Sequence, residues 1–353
     1  MSISRTPTLQ DVALAAGVSV ATVSRHRRGS RRFAPELAAR IDAAATALGY
    51  RDNQVARSLV TGRTGAVGLV VLDLANPHFT GLVQGAHRVA LQHQMSVAFV
   101  DTAESQAPER QLVEALAQRV DGLVVSSRLA RGALDWITRL GKPIVFFGHL
   151  GLPGWHSVST DGHAAATLLG RHLAEQGHRH VAYLDFPASR WSAERQRGLS
   201  QALVAAGARL TVHTVAAPSA EAGEAVAAQV LLGSGRDGAA DRPSAVVAYN
   251  DLVAIGFMHE ARRLGVAAPA QVSVAGFDDI ELARYVSPAL STVAMNSHAM
   301  GAVAMQRLLQ LIAGDLPEPF DETLAPRLIV RGSSSPPSRH NPTSTSFTGP
   351  TSP

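Results

Sequence analysis

Two hydrophobic rhythms divide the chain. From Thr8 to Gly49 apolar residues recur at helical spacing, and from Ala66 to about Gly332 short apolar runs alternate with helical stretches. In the first region Leu9, Val12, Ala13 and Ala16 fall at i, i+3, i+4 and i+7, one face of a helix. Thr8, with Asp11 three residues on, has the spacing of a capping box, and Gly17 can take the positive φ of a tight turn. Ser19 then caps a second helix that turns Val23 inward and Thr22, Ser24 and Arg25 outward. Two short helices so joined predict a helix-turn-helix, whose second helix enters the DNA major groove. An ordinary αα-hairpin has the same spacing, but the arginines that follow favour the first reading. A third helix opens at Pro35, runs through Leu37, Ile41, Ala44, Ala45 and Leu48, and stops at Gly49.

Beyond this head the runs AVGLVVL, MSVAFV, GLVVS and PIVFF read as buried parallel strands. The rhythm restarts after about Val158 with HVAYL, LTVHTV, SAVVAY and VSVAGF. Two strand–helix series predict two doubly wound α/β lobes behind a small all-α head. Between head and lobes, NQVARSL is too short to be a stable helix alone and TGRTG makes a flexible joint. The Ser-, Pro- and Thr-rich stretch 333–353 has no apolar period and is expected to be disordered. It also lacks the heptad of a tetramerising coiled coil.

Charge sharpens the division. Residues 1–63 hold ten arginines against four acids, which gives that stretch +6 and leaves the rest of the chain at −2 of the total +4. A basic head on a near-neutral body points to a polyanion as the partner of the head. There is no cysteine, which excludes disulfides, thiol catalysis and thiolate metal sites. No apolar run reaches the length of a membrane span, and MSISRTPTLQD lacks an apolar signal core, so the expected compartment is the cytoplasm.

The segments DVALAAGVSVATVSR and LGYRDNQVARSLVTGRTGAVGLVVLDLANPHF closely resemble the lactose-repressor (LacI/GalR) family of bacterial transcription regulators. The likeness extends from Thr8 to about Gly332. It implies a homodimer on double-stranded operator DNA, with a periplasmic-binding-protein-like core through which the chain crosses three times between lobes. By this resemblance Val20, Ala21 and Arg25 face base edges, while Thr8, Ser19, Thr22, Ser24 and Arg28 suit the phosphate backbone. The segment holding Asn53, Ala56, Arg57 and Leu59 matches a hinge helix that folds on DNA and wedges Leu59 into the minor groove. The domains expected are a head at 1–50, a hinge and linker at 51–64, and a core at 65–332. The N-lobe would take about 65–158 and 292–322, and the C-lobe about 159–291 and 323–332. Two departures stand out: Asp52 where the family usually has Pro, and His26-Arg27-Arg28 where it usually has an apolar pair and Asn.

In open parallel sheets ligands bind beyond the C-terminal strand ends. Here those ends carry Asp73 to Phe79, Asp101–Thr102, Ser126–Ser127, Gly148–His149, Asp185, Asn250–Asp251 and Asp278–Asp279. The set suits a small sugar-like or polyhydroxylated effector. By the family likeness Arg195, Asn250 and Asp278 contact the ligand, and Asp161 has a structural role near the lobe crossing. Ser126, His149, Phe79 and Trp191 complete the candidate site, Phe79 fitting the core as well as a pocket, and Trp191 covering the ligand or simply packing. Several sugar-binding members have Asp where Gly148 stands. A purine or another co-repressor that promotes DNA binding is the alternative effector. A stand-alone sugar-binding protein and an enzyme are the alternative functions. Against an enzyme, there is no P-loop, GxSxG elbow or HExxH, and the one lysine is Lys142. No metal or cofactor is expected, and His163, His172, His178 and His180 are expected at the surface.

Overall fold

The structure, a computed structural model, describes residues 7–27, 31–50, 62–148, 154–232, 242–315 and 318–337. The chain divides into two compact units, Met1–Gly65 and Ala66–Pro353.

The first unit holds α1 (Leu9–Ala16), α2 (Val20–Arg27) and α3 (Pro35–Ala47). Its first helix starts on a reciprocal capping box. The Asp11 N–H donates to Thr8 Oγ1 at 3.3 Å, and the Thr8 N–H donates to Asp11 Oδ2 at 2.7 Å. Gly17 ends it at φ 64°, and Val18 N–H closes the turn on Ala13 O at 3.0 Å. Val12, Val23 and Ile41 are fully buried where the three helices meet, and Tyr50 closes the cluster.

The second unit is built from two six-stranded sheets. In chain order its first lobe comprises β1 (Ala66–Val71), α4 (Pro77–Gln92), β2 (Ser96–Asp101), α5 (Glu109–Ala117), β3 (Leu123–Val125), α6 (Asp135–Thr138), β4 (Ile144–Phe147) and β5 (Ser157–Thr160). The chain then enters the second lobe with α7 (Gly162–Glu175), β6 (His180–Asp185), α8 (Ser192–Ala205) and β7 (Arg209–Thr214). It continues through α9 (Ala220–Leu232), β8 (Ala245–Ala248), α10 (Asp251–Arg263), β9 (Ser273–Asp278) and β10 (Ser291–Ala294). Helix α11 (Ser297–Ala313) and β11 (Asp321–Leu324) return to the N-lobe, and β12 (Arg327–Ile329) ends in the C-lobe. The N-lobe order is β2-β1-β3-β4-β5-β11, all parallel. The C-lobe order is β7-β6-β8-β9-β10-β12, with β12 antiparallel to β10. The central strands are apolar on both faces because helices cover both sides of each sheet.

Three details correct the expected boundaries. β5 runs to Thr160 inside the N-lobe sheet, two residues past the expected 158. Strand β10 pairs with β9, so the return crossing falls at 295–296 and not at 292. β11 stays with the N-lobe through Leu324, where the C-lobe was expected from 323. The stretch from Ser333 also differs from its expected disorder. Ser333 is fully buried, its hydroxyl donating to Val274 O at 2.6 Å and accepting the Ser291 N–H at 2.8 Å. Serine hydroxyls here do the work that a regular strand ladder would do elsewhere, a bonding pattern that carries no apolar period. Residues 338–353 lie outside the described set.

His178 corrects another expectation. It is fully buried, within 2.9 Å of Ser244 Oγ through Nδ1 and 3.0 Å of Ser335 O through Nε2. Burial lowers its pKa, so it serves as a neutral tie from the turn before β6 to Ser244 and the C-terminal stretch.

Candidate functional site

On the first unit, α2 turns one face into the core through Val23 and presents the other outward. Ser19, Val20, Ala21 and Arg25 are exposed, while Thr22 and Ser24 are half-buried. Ser19 starts the helix, its Oγ accepting the Thr22 N–H at 3.1 Å. His26 sits 3.0 Å from Asp42 of α3 and edge-on to Phe33, and Arg31 lies over the same ring at 5.6 Å. A polar clamp thus ties α2 to α3. Thr8 is spent on its capping box. Arg28, Asn53, Ala56, Arg57 and Leu59 lie outside the described residues.

Within the second unit, three β→α turns set the site. Asn76, Asp161 and Asn250 each cap the helix that follows, accepting the N–H of His78, Ala164 and Val253 respectively at 3.0, 2.8 and 2.9 Å. Asp161 accordingly has the structural place expected of it. The other two caps stand at the strand ends that face each other across the lobes.

Between them is a cavity of about 50 Å³. The N-lobe contributes Asn76, His78, Phe79, Arg128 and Thr160 with Met300 of α11. From the C-lobe come Trp191, Arg195, Pro218, Tyr249, Asn250 and Asp278, and Met295 joins from a crossing. Ligand pockets generally enclose several hundred Å³, so the lobes must part, or Trp191 and the methionines must move, before a sugar-sized molecule enters.

Of the residues singled out in the sequence, Phe79, Trp191, Arg195, Asn250 and Asp278 meet at this cavity. Ser126 does not line it. It is buried with its hydroxyl unpartnered among the described residues, and the wall is formed instead by Arg128, two positions on. His149 lies outside the described residues. His78 and Arg128 were not singled out. His78 stood inside the Asp73–Phe79 stretch, but a helix-start histidine carries no periodic signal. Arg128 belongs to a loop after β3 whose direction only the fold decides.

The two lobes touch directly here. His78 Nδ1 of the N-lobe is 3.3 Å from Asp278 Oδ1 of the C-lobe. Burial pulls the two groups away from charge: it lowers the His78 pKa against the raising effect of Asp278, and raises that of Asp278 against the lowering effects of His78 and Arg195. Arg190 of the C-lobe donates to Ser127 O and Leu129 O of the N-lobe at 2.8 and 2.9 Å, and the Arg128 guanidinium lies 5.5 Å over the Phe186 ring. At the crossings, Thr160 Oγ1 donates to Met295 O and Asn296 Nδ2 to Ala325 O, both at 2.7 Å.

Asp278 and Asp279 point different ways. Both have positive φ, 113° and 54°, a backbone strain concentrated at a candidate site. Asp279 pairs with Arg331, while Asp278 faces the cavity. Beneath them Asp251 is fully buried, accepting from Ile280 N–H at 2.9 Å and from Thr292 Oγ1 at 2.6 Å. Burial, reinforced by Asp278, raises its pKa well above the usual carboxylate range. Asp251 therefore fastens the Asp278 loop from below. Among the described residues no cluster of His, Cys, Asp or Glu has a metal-ligand arrangement, and no helix is long and apolar enough to cross a membrane.

Comparison with known proteins agrees with this geometry. Residues 8–53 match the family described as bacterial regulatory proteins, lacI family, and residues 171–334 match a periplasmic binding protein-like domain. The transcriptional regulator GalS of Salmonella typhimurium is 33% identical over 337 residues, covering 92% of this chain and 96% of that protein. GalR of Escherichia coli K12 is 34% identical over 339 residues, with 94% and 96% covered. The crystal structure of the lac repressor dimer bound to operator and the anti-inducer ONPF superposes with a TM-score of 0.84 at 25% identity, covering 94% of this chain and all of that one. With relatives this similar along nearly the whole length, the chain belongs to the lacI family of bacterial DNA-binding transcription regulators.

Proposed function

We propose that the protein is a cytoplasmic, homodimeric repressor with no enzymatic activity, whose grip on a pseudo-palindromic operator is set by a small polyhydroxylated effector bound between the core lobes. The observation that carries this reading is the cavity. It lies at the C-terminal ends of both sheets, and its walls come from both lobes. A molecule bound there changes the relation between the lobes only as far as its affinity differs between two lobe arrangements. The hinge segments of the two protomers are the element such a change would separate, since paired hinge helices order on DNA and loosen when pulled apart. In the heads, Val20, Ala21 and Arg25, exposed on α2, would read base edges. Arg25 suits a bidentate contact to guanine, and Val20 and Ala21 suit thymine methyls. Ser19, Thr22, Ser24 and Arg28 would hold phosphates.

Thermal-shift screening of the full chain against sugars, sugar acids, polyols and purines tests the effector. Each hit is retested by fluorescence anisotropy on an operator selected from genomic fragments. A stabilising hit that weakens operator binding establishes an inducible repressor, and one that tightens it makes the protein a co-repressor system. Conversion of a hit to product would overturn the non-enzymatic reading. Replacing Leu59 by Ala is expected to weaken operator binding by about 1 kcal/mol or more through loss of the apolar wedge, with effector binding intact. Unchanged operator affinity would remove the wedge from the mechanism.

A further inference from the structure

We propose that Arg190 is a positioning residue for effector entry: from outside the cavity wall, it latches the two lobes closed over the cavity. Its bearing on the effector rests on the interlobe cavity being the effector site.

The Arg190 side chain leaves the C-lobe and ends on the N-lobe. One nitrogen, Nη2, donates to both Ser127 O and Leu129 O, at 2.8 and 2.9 Å, and so uses both of its hydrogens. A cation on two carbonyls makes charge-assisted bonds, stronger than neutral ones. Both ends of the contact are fastened within their own lobes. In the C-lobe Ser189 is buried, its N–H donating to Phe186 O at 3.0 Å and its Oγ accepting from the Tyr249 hydroxyl at 2.7 Å and the Trp191 N–H at 3.2 Å. Ser192 Oγ donates to Asp185 Oδ2 at 2.8 Å. In the N-lobe the fully buried Glu109 accepts the Ser127 hydroxyl, Ser127 Oγ accepts the Leu129 N–H at 3.0 Å, and Gln106 Nε2 donates to Arg128 O at 3.1 Å. The loop that presents the two carbonyls is therefore shaped by N-lobe groups, and what the Arg190 bonds add is a hold of one lobe on the other.

The same turn carries the cover of the cavity. Trp191 follows Arg190, lines the cavity, and rests its indole where a Cβ on Gly148 of the N-lobe would stand. The enclosed volume, about 50 Å³, is too small for a sugar-sized guest. Arg190, Ser127 and Leu129 do not line the cavity, so a guest does not displace the latch by touching it. The contact of His78 with Asp278 differs, since both residues stand on the wall. The bonds of Thr160 to Met295 and of Asn296 to Ala325 lie at the crossings, where parted lobes stay joined. Parting the lobes breaks the Arg190 bonds and lifts Trp191 from Gly148 together. Arg190 thereby sets how often the cavity stands open, whatever the guest, and a guest's apparent affinity scales with that open fraction.

Double electron–electron resonance on the full chain tests this. The chain has no native cysteine, so nitroxides at Thr138→Cys, at the end of α6, and Gln196→Cys, on α8, report the lobe separation from two exposed positions. An excess of unlabelled protein leaves one labelled protomer in a dimer. R190M keeps the aliphatic stem and removes the donors. It is expected to raise the ratio of long to short distances about tenfold or more, the value of one charged hydrogen bond. R190K, which keeps a cationic donor, is expected to restore most of the short-distance population. Acrylamide then probes the cavity itself. Quenching of Trp191, isolated by difference from the same proteins carrying Trp191→Phe, is expected to rise in R190M. Distances that R190M leaves unchanged overturn the latch even if quenching rises, since quenching alone reports a local change in the turn. R190K as open as R190M also overturns it. Operator affinity of the same variants separates the latch from the effector reading: lobes that part in R190M with operator affinity unchanged support the latch and remove the coupling between lobes and operator.

Discussion

Gly148 and Trp191 show how one residue shapes the cavity. Gly148 sits at φ 93° after β4, and a Cβ there would run into the Trp191 indole. The missing side chain is what lets Trp191 fold over the cavity from the other lobe. Gly148→Ala is expected to cost about 1–2 kcal/mol for the left-handed backbone alone and to shift the tryptophan emission as Trp191 is displaced. An unchanged spectrum would mean that the indole does not rest on Gly148. Asp251 offers a pH test. Its folded-state pKa is raised, so its protonated form stabilises the fold, and that stability is lost as pH climbs through the folded value. Asp251→Asn, which keeps an acceptor for the Ile280 N–H, removes this loss. The melting temperature of the variant relative to the parent should rise as pH climbs above about 4, the ordinary carboxylate value. A difference that stays constant with pH would place the charge of Asp251 elsewhere in the balance.

At the scale of elements, the head was legible because each signal is local: the capping box, the turn glycine and the proline start lie within a few residues of the helices they set. Six of the eight strands marked by apolar runs were legible for a similar reason, since burial on both faces leaves no polar alternation, while β2 and β7 kept an apolar run as half-exposed edge strands. The partial failures have a common cause. β11 and β12 read DETL and RLI, edge strands with mixed burial, and their lobe is decided by pairing partners more than 150 residues away in the case of β11 and β5. The serine bonds at Ser333 carry no periodicity at all. In the site, residues at strand ends could be marked, but the choice of Arg128 over Ser126 depends on which way a loop turns. Val23 gives the element-scale test. It is fully buried at the seam of α1, α2 and α3. Val23→Ala should destabilise the head by about 1–3 kcal/mol and lower operator affinity, with effector binding unaffected. Equal operator affinity would mean that DNA itself restores the seam.

At the scale of the molecule, charge and architecture divide the labour. The basic stretch belongs to the head, and the near-neutral core places the buried Arg128 and Arg195 at one interlobe cavity. The lobes are joined there by His78 with Asp278 and by Arg190 on two carbonyls. On the proposed function, a ligand in the cavity would disturb the His78–Asp278 contact and so couple binding to lobe arrangement. The most direct measurement is operator affinity of the full chain with and without a stabilising effector, in the parent and in Asp278→Ala. The effector is expected to change operator affinity in the parent, with that response lost in Asp278→Ala while the variant still binds operator in its absence. An undiminished response in Asp278→Ala would contradict the account by moving control of the operator away from this cavity.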